Sequence, residues 1–218
     1  MTLLYASALR DPSDLQDWII EGPLAASSPT GRLRLESSAD PAEGPDAHFV
    51  AWLPVEHRGD LRISWTFRPL REPGLAMIFW AAGARSGGSV QDPSLPARTG
   101  RYEQYHSGAI DAYHLSYFRR MWPEERGLHT CNLRKSHGFH LVAQGADPVP
   151  GVLDVDRSYR LSLQWSEGTV RFDVAGIPCL TWTDTGAVGG PPRRGGAVGL
   201  RQMAPLIAEY SDLVVEAL

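Results

Sequence analysis

Most of the chain's chemically capable side chains gather between positions 101 and 144: Arg101, Gln104, Tyr105, His106, Asp111, Tyr113, His114, Tyr117, Arg119, Arg120, Asn132, Arg134, Lys135, His137, His140 and Gln144. Five of the seven histidines fall between 106 and 140. The densest part, YHLSYFRR at 113–120, is too polar for an ordinary core strand and too aromatic for an ordinary solvated loop. Rings beside planar donors suit a sugar. Aromatic faces take its C–H surface, while Arg, Asn, Gln and His bind its hydroxyls. An arginine fork also fits a uronate carboxylate in bidentate geometry. Of the 21 basic residues only Lys135 is a lysine. A lysine that survives in an arginine-rich chain suggests a need for a compact ammonium able to lose its proton.

Strands must position these groups. Period-2 alternation recurs, as in LRISWTF (61–67), YRLSLQW (159–165) and TVRFDV (169–174). Further strand candidates are RLRLES, HFVAWLP, LAMIFWAA, YEQYHS, YHLSYFR, TCNLRKS, FHLVAQ, LTWTD, AVGLRQM and SDLVVEAL, separated by turn signals such as EHRGD, REPG and SEGT. With 17 prolines, 22 glycines and no long helical pattern, the chain reads as an all-β sandwich or barrel. It reads as a single domain over 1–218, with one short helix near DPSDLQDWI. The segment 85–101 is the longest irregular stretch and is expected to cross one sheet face and border a binding site. Cys131 and Leu133, like Phe139, Leu141 and Ala143, are expected to face inward. That leaves Gln104, His106, His114, Arg120, Asn132, Arg134 and His140 on one exposed face, with the tyrosines bordering it or lying beneath. Glu124-Glu125-Arg126 reads as a solvated turn.

Other functions fit poorly. A net charge of −4 leaves no global basic field for nucleic acid or an anionic membrane. No apolar run approaches the ~18 residues of a membrane span. The N-terminal stretch lacks the pattern of an export signal, so a cytoplasmic location is expected, with Cys131 and Cys179 as free thiols. Nucleotide-binding glycine motifs, the nucleophile elbow and the zincin motif are absent. No cofactor and no metal are expected, and either a monomer or a homodimer is compatible with the sequence.

The segments FVAWLP, GLAMIFWAAG, GRYEQYHSGAIDAYHLSYFRR, HTCNLRKSHGFHLVAQGADPVP and GLRQMAPLIAEYSDL closely resemble the YesU-like family of bacterial proteins of unknown function, most strongly over 48–218. Among the matching positions are Tyr105, His106, Tyr113, His114, Ser116, Tyr117, Arg119, Arg120, Asn132, Arg134, Lys135 and Gln202. The resemblance implies a concanavalin-like jelly roll of two curved antiparallel sheets with very little helix. It also implies a link to rhamnogalacturonan use, and so to plant cell-wall oligosaccharides as ligand or substrate.

Together these observations favour an oligosaccharide lyase working by β-elimination. That reaction needs donors to neutralise a uronate carboxylate, a base for the C5 proton and an acid for the leaving oxygen. Arg120, Arg134 and Asn132 are candidates for the first role, His114, His106 or Lys135 for the second, and Tyr117 or Tyr105 for the third. Gln104, Tyr113, Arg119, His140, Gln202 and Trp80 complete the expected binding set. Two alternatives stand beside it: a glycoside hydrolase using Asp111 or Glu103, and a lectin-like protein that binds without turnover.

Overall fold

The computed structural model describes residues 1–218. In chain order the strands are β1 (Thr2–Ser7), β2 (Ile19–Glu21), β3 (Leu24–Ser27), β4 (Leu33–Ser37), β5 (Phe49–Arg58), β6 (Leu61–Arg71), β7 (Leu75–Ala84) and β8 (Ile110–Arg119). They continue with β9 (Thr130–Ser136), β10 (His140–Ala146), β11 (Tyr159–Ser166), β12 (Thr169–Val174), β13 (Ile177–Thr183), β14 (Gly195–Met203) and β15 (Ile207–Ala217). One antiparallel sheet runs β13-β12-β11-β6-β15-β4-β3, with β1 also on β15; the other runs β10-β9-β8-β7-β14-β5-β2. The jelly-roll sandwich expected from the sequence is therefore present, and no helix is long and apolar enough to cross a membrane.

Helical structure is sparse. A 3-10 turn at Pro12–Leu15 is capped by Asp11, whose carboxylate accepts from Ser13 N at 2.9 Å. Two short helices flank β8: α1 (Glu103–His106) and α2 (Pro123–Leu128). The stretch YEQYHS, expected as a strand, is thus a helical turn. No neighbouring strand pairs with it, and packing of Tyr105 decides its conformation instead. Glu124-Glu125-Arg126 lies within α2, and Glu125 is buried there, accepting from the Met121 and Trp122 amides, rather than in a solvated turn.

The alternating positions of the two sheets meet in one core. Trp65 packs edge-on against Tyr117 (centroids 5.2 Å apart), and Phe67 touches Tyr117, Phe118 and Tyr210. A polar thread crosses this core. Tyr117 donates to Tyr210 (3.4 Å), Tyr210 donates to Gln202 (2.8 Å), and the Gln202 amide reaches the Leu35 and Leu206 carbonyls. Both cysteines are buried and free. Two buried ion pairs, Arg120–Asp147 (2.7 Å) and Lys135–Asp184 (2.6 Å), neutralise charge beneath the second sheet.

Two tests address this core. Replacing Trp65, which is fully buried, by Ala should cost roughly 3–5 kcal/mol in urea unfolding; a near-neutral result would invert the assignment of β6 faces. The second concerns acid. Burial pushes His48 and His57 down to about 4 and His114 well below the ordinary range. An unfolded chain takes up these protons near pH 6.5, so stability is lost as pH falls from there toward 4. Asp147 acts oppositely: burial raises its carboxyl to about 6, which favours the fold as pH falls below that value. Three histidines outweigh one carboxyl, each contributing about 1.4 kcal/mol per pH unit. Thermal unfolding should therefore occur several degrees lower at pH 5 than at pH 7; an unchanged midpoint would mean the histidines are charged in the fold.

Candidate functional site

The second sheet has an outer face, opposite the core, that carries the even-numbered side chains of β9 and of β8 as far as Ser116, beyond which a register shift turns Phe118 into the core and Arg119 outward. His114 and Ser116 stand there on β8, and Asn132, Arg134 and Ser136 on β9, because Tyr113, Leu115, Tyr117, Cys131 and Leu133 are drawn into the core. Part of this face is roofed by the irregular segment 85–101 and α1. Val90, Leu95, Tyr102 and Tyr105 pack on Val50, Trp52, Phe79, Ile110 and Ala112. Gly199 allows the Trp52 ring to lie flat on β14, since a Cβ there would sit 2.6 Å from the indole. The roof is tied down by Arg98, which pairs with Glu21 at 2.6 Å, and by the Tyr105 hydroxyl, which donates to Glu21 at 2.7 Å.

Where the roof ends, a cleft of about 510 Å³ opens. Its floor is Leu75 and Met77 of β7, Ser116 of β8 and Met203 of β14; Tyr102, Arg134 and Phe139 wall one side, and Arg119, Trp122, Glu125 and Leu128 the other. Trp122 and Phe139 are each 49 % exposed, so both offer ring surface to a ligand. The Arg134 guanidinium lies 3.7 Å from the Phe139 ring centroid and donates to the Phe139 carbonyl at 2.9 Å, without a carboxylate partner. Arg119 is held by Glu125 (2.6 Å) and Thr130 Oγ1 (2.8 Å). Other hollows of 380–530 Å³ lack this combination, two of them small polar surface hollows around Arg32 and around Arg160. The one around Arg120 and Leu153 has no Phe, Tyr or Trp, and the one around Asp184 and Arg194 has only the buried Trp165.

Beneath the Tyr102 wall runs a closed hydrogen-bond chain. The Tyr102 hydroxyl meets His114 Nδ1 at 2.9 Å, and His114 Nε2 meets Ser136 Oγ at 2.9 Å. His114 is fully buried, and burial together with the nearby Arg134 guanidinium keeps its ring neutral. Burial likewise raises the Tyr102 hydroxyl well above the ordinary phenol range. Arg201 lies behind Tyr102, its guanidinium carbon 4.6 Å from the ring centroid. It is fully buried, donates to His48 Nδ1 and the Gly100 carbonyl (both 3.2 Å), and leaves Nε and Nη1 without a partner. Burial lowers its pKa to about 10, so it remains charged at neutral pH. His106 stands at the rim, half-buried against Phe139 (centroids 4.7 Å), with Nδ1 on Ser107 Oγ and a pKa lowered chiefly by burial.

The expected site residues are only partly brought together. Arg119 and Arg134 line the cleft, His106 borders it, and Asn132 lies below Arg119 with its amide 2.8 Å from Gln144 Nε2. His114 is on this face but sealed under Tyr102. Gln104 faces away, accepting from the Thr99 amide, and Tyr105 is buried under the roof. Trp80, Tyr113 and Tyr117 point into the core, because alternation along β7 and β8 places them opposite Phe79 and His114. Lys135 follows the same rule and is engaged with Asp184 and the Gly190 carbonyl. Arg120 is consumed by Asp147 and the Val149 carbonyl. Gln202 faces the core, and its neighbour Arg201 faces outward. His140 turns to the Lys135 side because a bulge between Leu141 and Ala143 shifts the parity of β10.

Tyr102, Ser116, Trp122, Phe139 and Arg201 complete the site; none was among the expected site residues, although Ser116 and Phe139 match the family motif. Arg201 was legible from GLRQM, where Leu200 inward implies Arg201 outward. Trp122 follows a strand and carried no alternation signal, whereas Phe139 and Leu141, which the alternation of FHLVAQ sent inward, are 49 % and 45 % exposed because the bulge after Leu141 inverts the faces before it. No group of three or more His, Cys, Asp or Glu side chains is placed to hold a metal ion.

Comparison with known proteins places this geometry. The uncharacterized protein YesU of Bacillus subtilis (strain 168) is 47 % identical over 212 residues, covering 97 % of this chain and 94 % of that protein. A crystal structure from Bacillus subtilis, described as a protein of unknown function with galectin-like fold, superposes with a TM-score of 0.94 at 46 % identity, covering 100 % of this chain and 96 % of that one. The carbohydrate binding module CBM66 from Bacillus subtilis shares the fold at a TM-score of 0.58 and 11 % identity, over 92 % of this chain and 96 % of that one. Residues 2–215 match the family described as domain of unknown function (DUF1961), and the chain belongs to that family.

Proposed function

We propose that this protein binds an acidic oligosaccharide in the cleft between Phe139 and Trp122, with Arg134 receiving a uronate carboxylate. The cleft carries the reading: two half-exposed rings face a hollow whose arginine has no carboxylate of its own. Rings take the apolar sugar face, and a guanidinium on a ring is pre-organised to fork onto a carboxylate. Of the charges lining the cleft, Arg119 is matched by Glu125, whereas Arg134 has no carboxylate in contact and Glu124 stands apart from it on α2; the buried Arg201 adds a third guanidinium behind Tyr102. Sugar-related names among proteins of similar fold, CBM66 and the Crh5 transglycosylase in complex with NAG, are in keeping with this reading.

A second reading, β-elimination, rests on one observation. His106 is neutral at physiological pH, half-buried at the rim, and has Nε2 free of the bond that holds Nδ1. A carboxylate on Arg134 is what acidifies the C5 proton for such a base. Hydrolysis is supported least. Asp111 is taken by Arg193 (3.0 Å) and the His137 amide, Glu103 lies outside the cleft, and the cleft's Glu124 and Glu125 are neighbours on one short helix with Glu125 already paired.

Trp122 supplies the readout for binding. Its fluorescence should change on titration with uronate oligosaccharides and not with their neutral counterparts, and the change should be absent in Trp122→Phe. Arg134→Ala should weaken uronate binding at least tenfold, the scale of a charge-assisted hydrogen bond of about 1.5–3 kcal/mol. Equal affinity for neutral and acidic sugars would remove the role given to Arg134. Elimination is checked separately by absorbance near 235 nm: a rise that disappears in His106→Ala supports the second reading, and no rise with intact binding leaves binding alone.

A further inference from the structure

The outer face of the second sheet is covered unequally, and the uneven cover bears on which part of a sugar chain the cleft accepts. From β5 across β14 to β7, the outward side chains Val50, Trp52, Ala197, Arg201, Phe79 and Ala82 are fully buried beneath the roof. That roof is anchored at several independent points. Arg98 and Glu21 form an ion pair with both side chains under 10 % exposed. Arg98 also donates to the Val90 carbonyl at 2.6 Å, and the Gly100 amide donates to Tyr105 at 3.1 Å. Gly100, with φ +93°, lies so close to His48 that a Cβ would stand 2.0 Å from the His48 carbonyl oxygen. A backbone packed this tightly, with its charged anchor desolvated, does not lift to admit a polymer. On the opposite side the cover is thin. Phe139 and Leu141 are 49 % and 45 % exposed where β10 forms the sheet edge, and Leu128 at the end of α2 is 68 % exposed. The cleft is therefore open toward β10 and stopped at Tyr102.

The stopped end also has guanidinium groups behind and beside it. Behind the Tyr102 ring stands Arg201, a fully buried guanidinium with two N–H groups unpartnered and no carboxylate in ion-pair contact. Arg134 flanks the same wall. A charge buried without a counter-ion projects its field further than an exposed one, because little water screens it. The end wall thus favours an anionic group on whichever sugar reaches it.

Building on the acidic-oligosaccharide reading above, we propose that the cleft is blind and takes the terminal uronate of a chain against Tyr102, and not the interior of a polymer. A hollow of about 510 Å³ is in the range that encloses a compact ligand, here a di- or trisaccharide. The rest of the chain would leave over Phe139 and Leu141 into solvent.

The experiment is calorimetric titration with oligogalacturonides and oligoglucuronides of one to six residues, then with the intact polymer and the same polymer partly cleaved. The inference expects affinity to rise to the di- or trisaccharide and stay within about twofold beyond it. It also expects the number of sites per gram of polymer to rise in proportion to the chain ends created by cleavage. An affinity that climbs tenfold or more from trimer to hexamer, or an intact polymer that binds protein all along its length, overturns the blind cleft while leaving acidic-sugar binding intact. Failure of every uronate to bind overturns both readings. A terminal residue made neutral by reduction of its carboxylate should bind at least tenfold more weakly than one with an equally neutralised internal residue; the reverse order would also overturn the proposal.

Discussion

All ten residues of β7, LAMIFWAAGA, are buried, and this double burial sets the rest of the architecture. A strand that is apolar on both faces must be covered on both. The first sheet covers one side through Ala76, Ile78 and Trp80. The other side, Leu75, Met77, Phe79 and Ala82, has no sheet to meet, so the segment 85–101 and α1 cross over it. The roof reaches Phe79 through Tyr105, whose ring centroid lies 5.7 Å away, but it does not extend to Leu75 and Met77. That shortfall is the cleft. The ligand position follows from where an obligatory hydrophobic cover stops.

The same burial explains which charges are free to act. Desolvating a guanidinium costs several kcal/mol unless a partner offsets it. Arg120 and Lys135 meet that cost with Asp147 and Asp184, and are thereby neutralised as far as any ligand is concerned. Arg201 has only two neutral acceptors, His48 and the Gly100 carbonyl, and the face of Tyr102. Even so, a pKa near 10 leaves it protonated by about three orders of magnitude at neutral pH. Burial lowers the proton affinity of His114 and His106 most, and the charges of Arg134 and Arg201, which bear on the same small group of rings, lower it further, against Glu103 at His106. Two histidines kept neutral beside two unpaired arginines make a site that gains from an anion.

Strand periodicity made most of the fold readable. LRISWTF, YRLSLQW and TVRFDV all lie in one sheet with the faces alternation assigned them. The site is less readable because its polar residue types suggest exposure where the same rule buries them. Alternation that sends Cys131 and Leu133 inward sends Lys135 inward too, and Leu115 inward takes Tyr113 and Tyr117 with it. Gln202 against Arg201 is the same case on β14. His140 differs: the bulge after Leu141 is invisible in FHLVAQ, and one extra residue inverts the faces. Tyr102 and Trp122 were missed for another reason. Each belongs to a connection, and its position depends on tertiary packing, not on a local period.

What separates a binder from a lyase here is a single group. Neutralising a uronate on Arg134 serves both, since it holds the ligand and makes its C5 proton more acidic. Elimination further requires a base that reaches that proton, and burial has removed the others: His114 is spent on Tyr102 and Ser136, and Lys135 on Asp184. Only His106 is neutral, partly accessible and adjacent to the rings that would hold a sugar. Its ring packs against Phe139, the surface proposed to carry the sugar, so Nε2 can approach a substrate only at the edge of that ring. A site shaped this way gains affinity from its arginines and aromatics whether or not a proton is ever moved, which is why binding is the function the geometry supports before any chemistry is invoked.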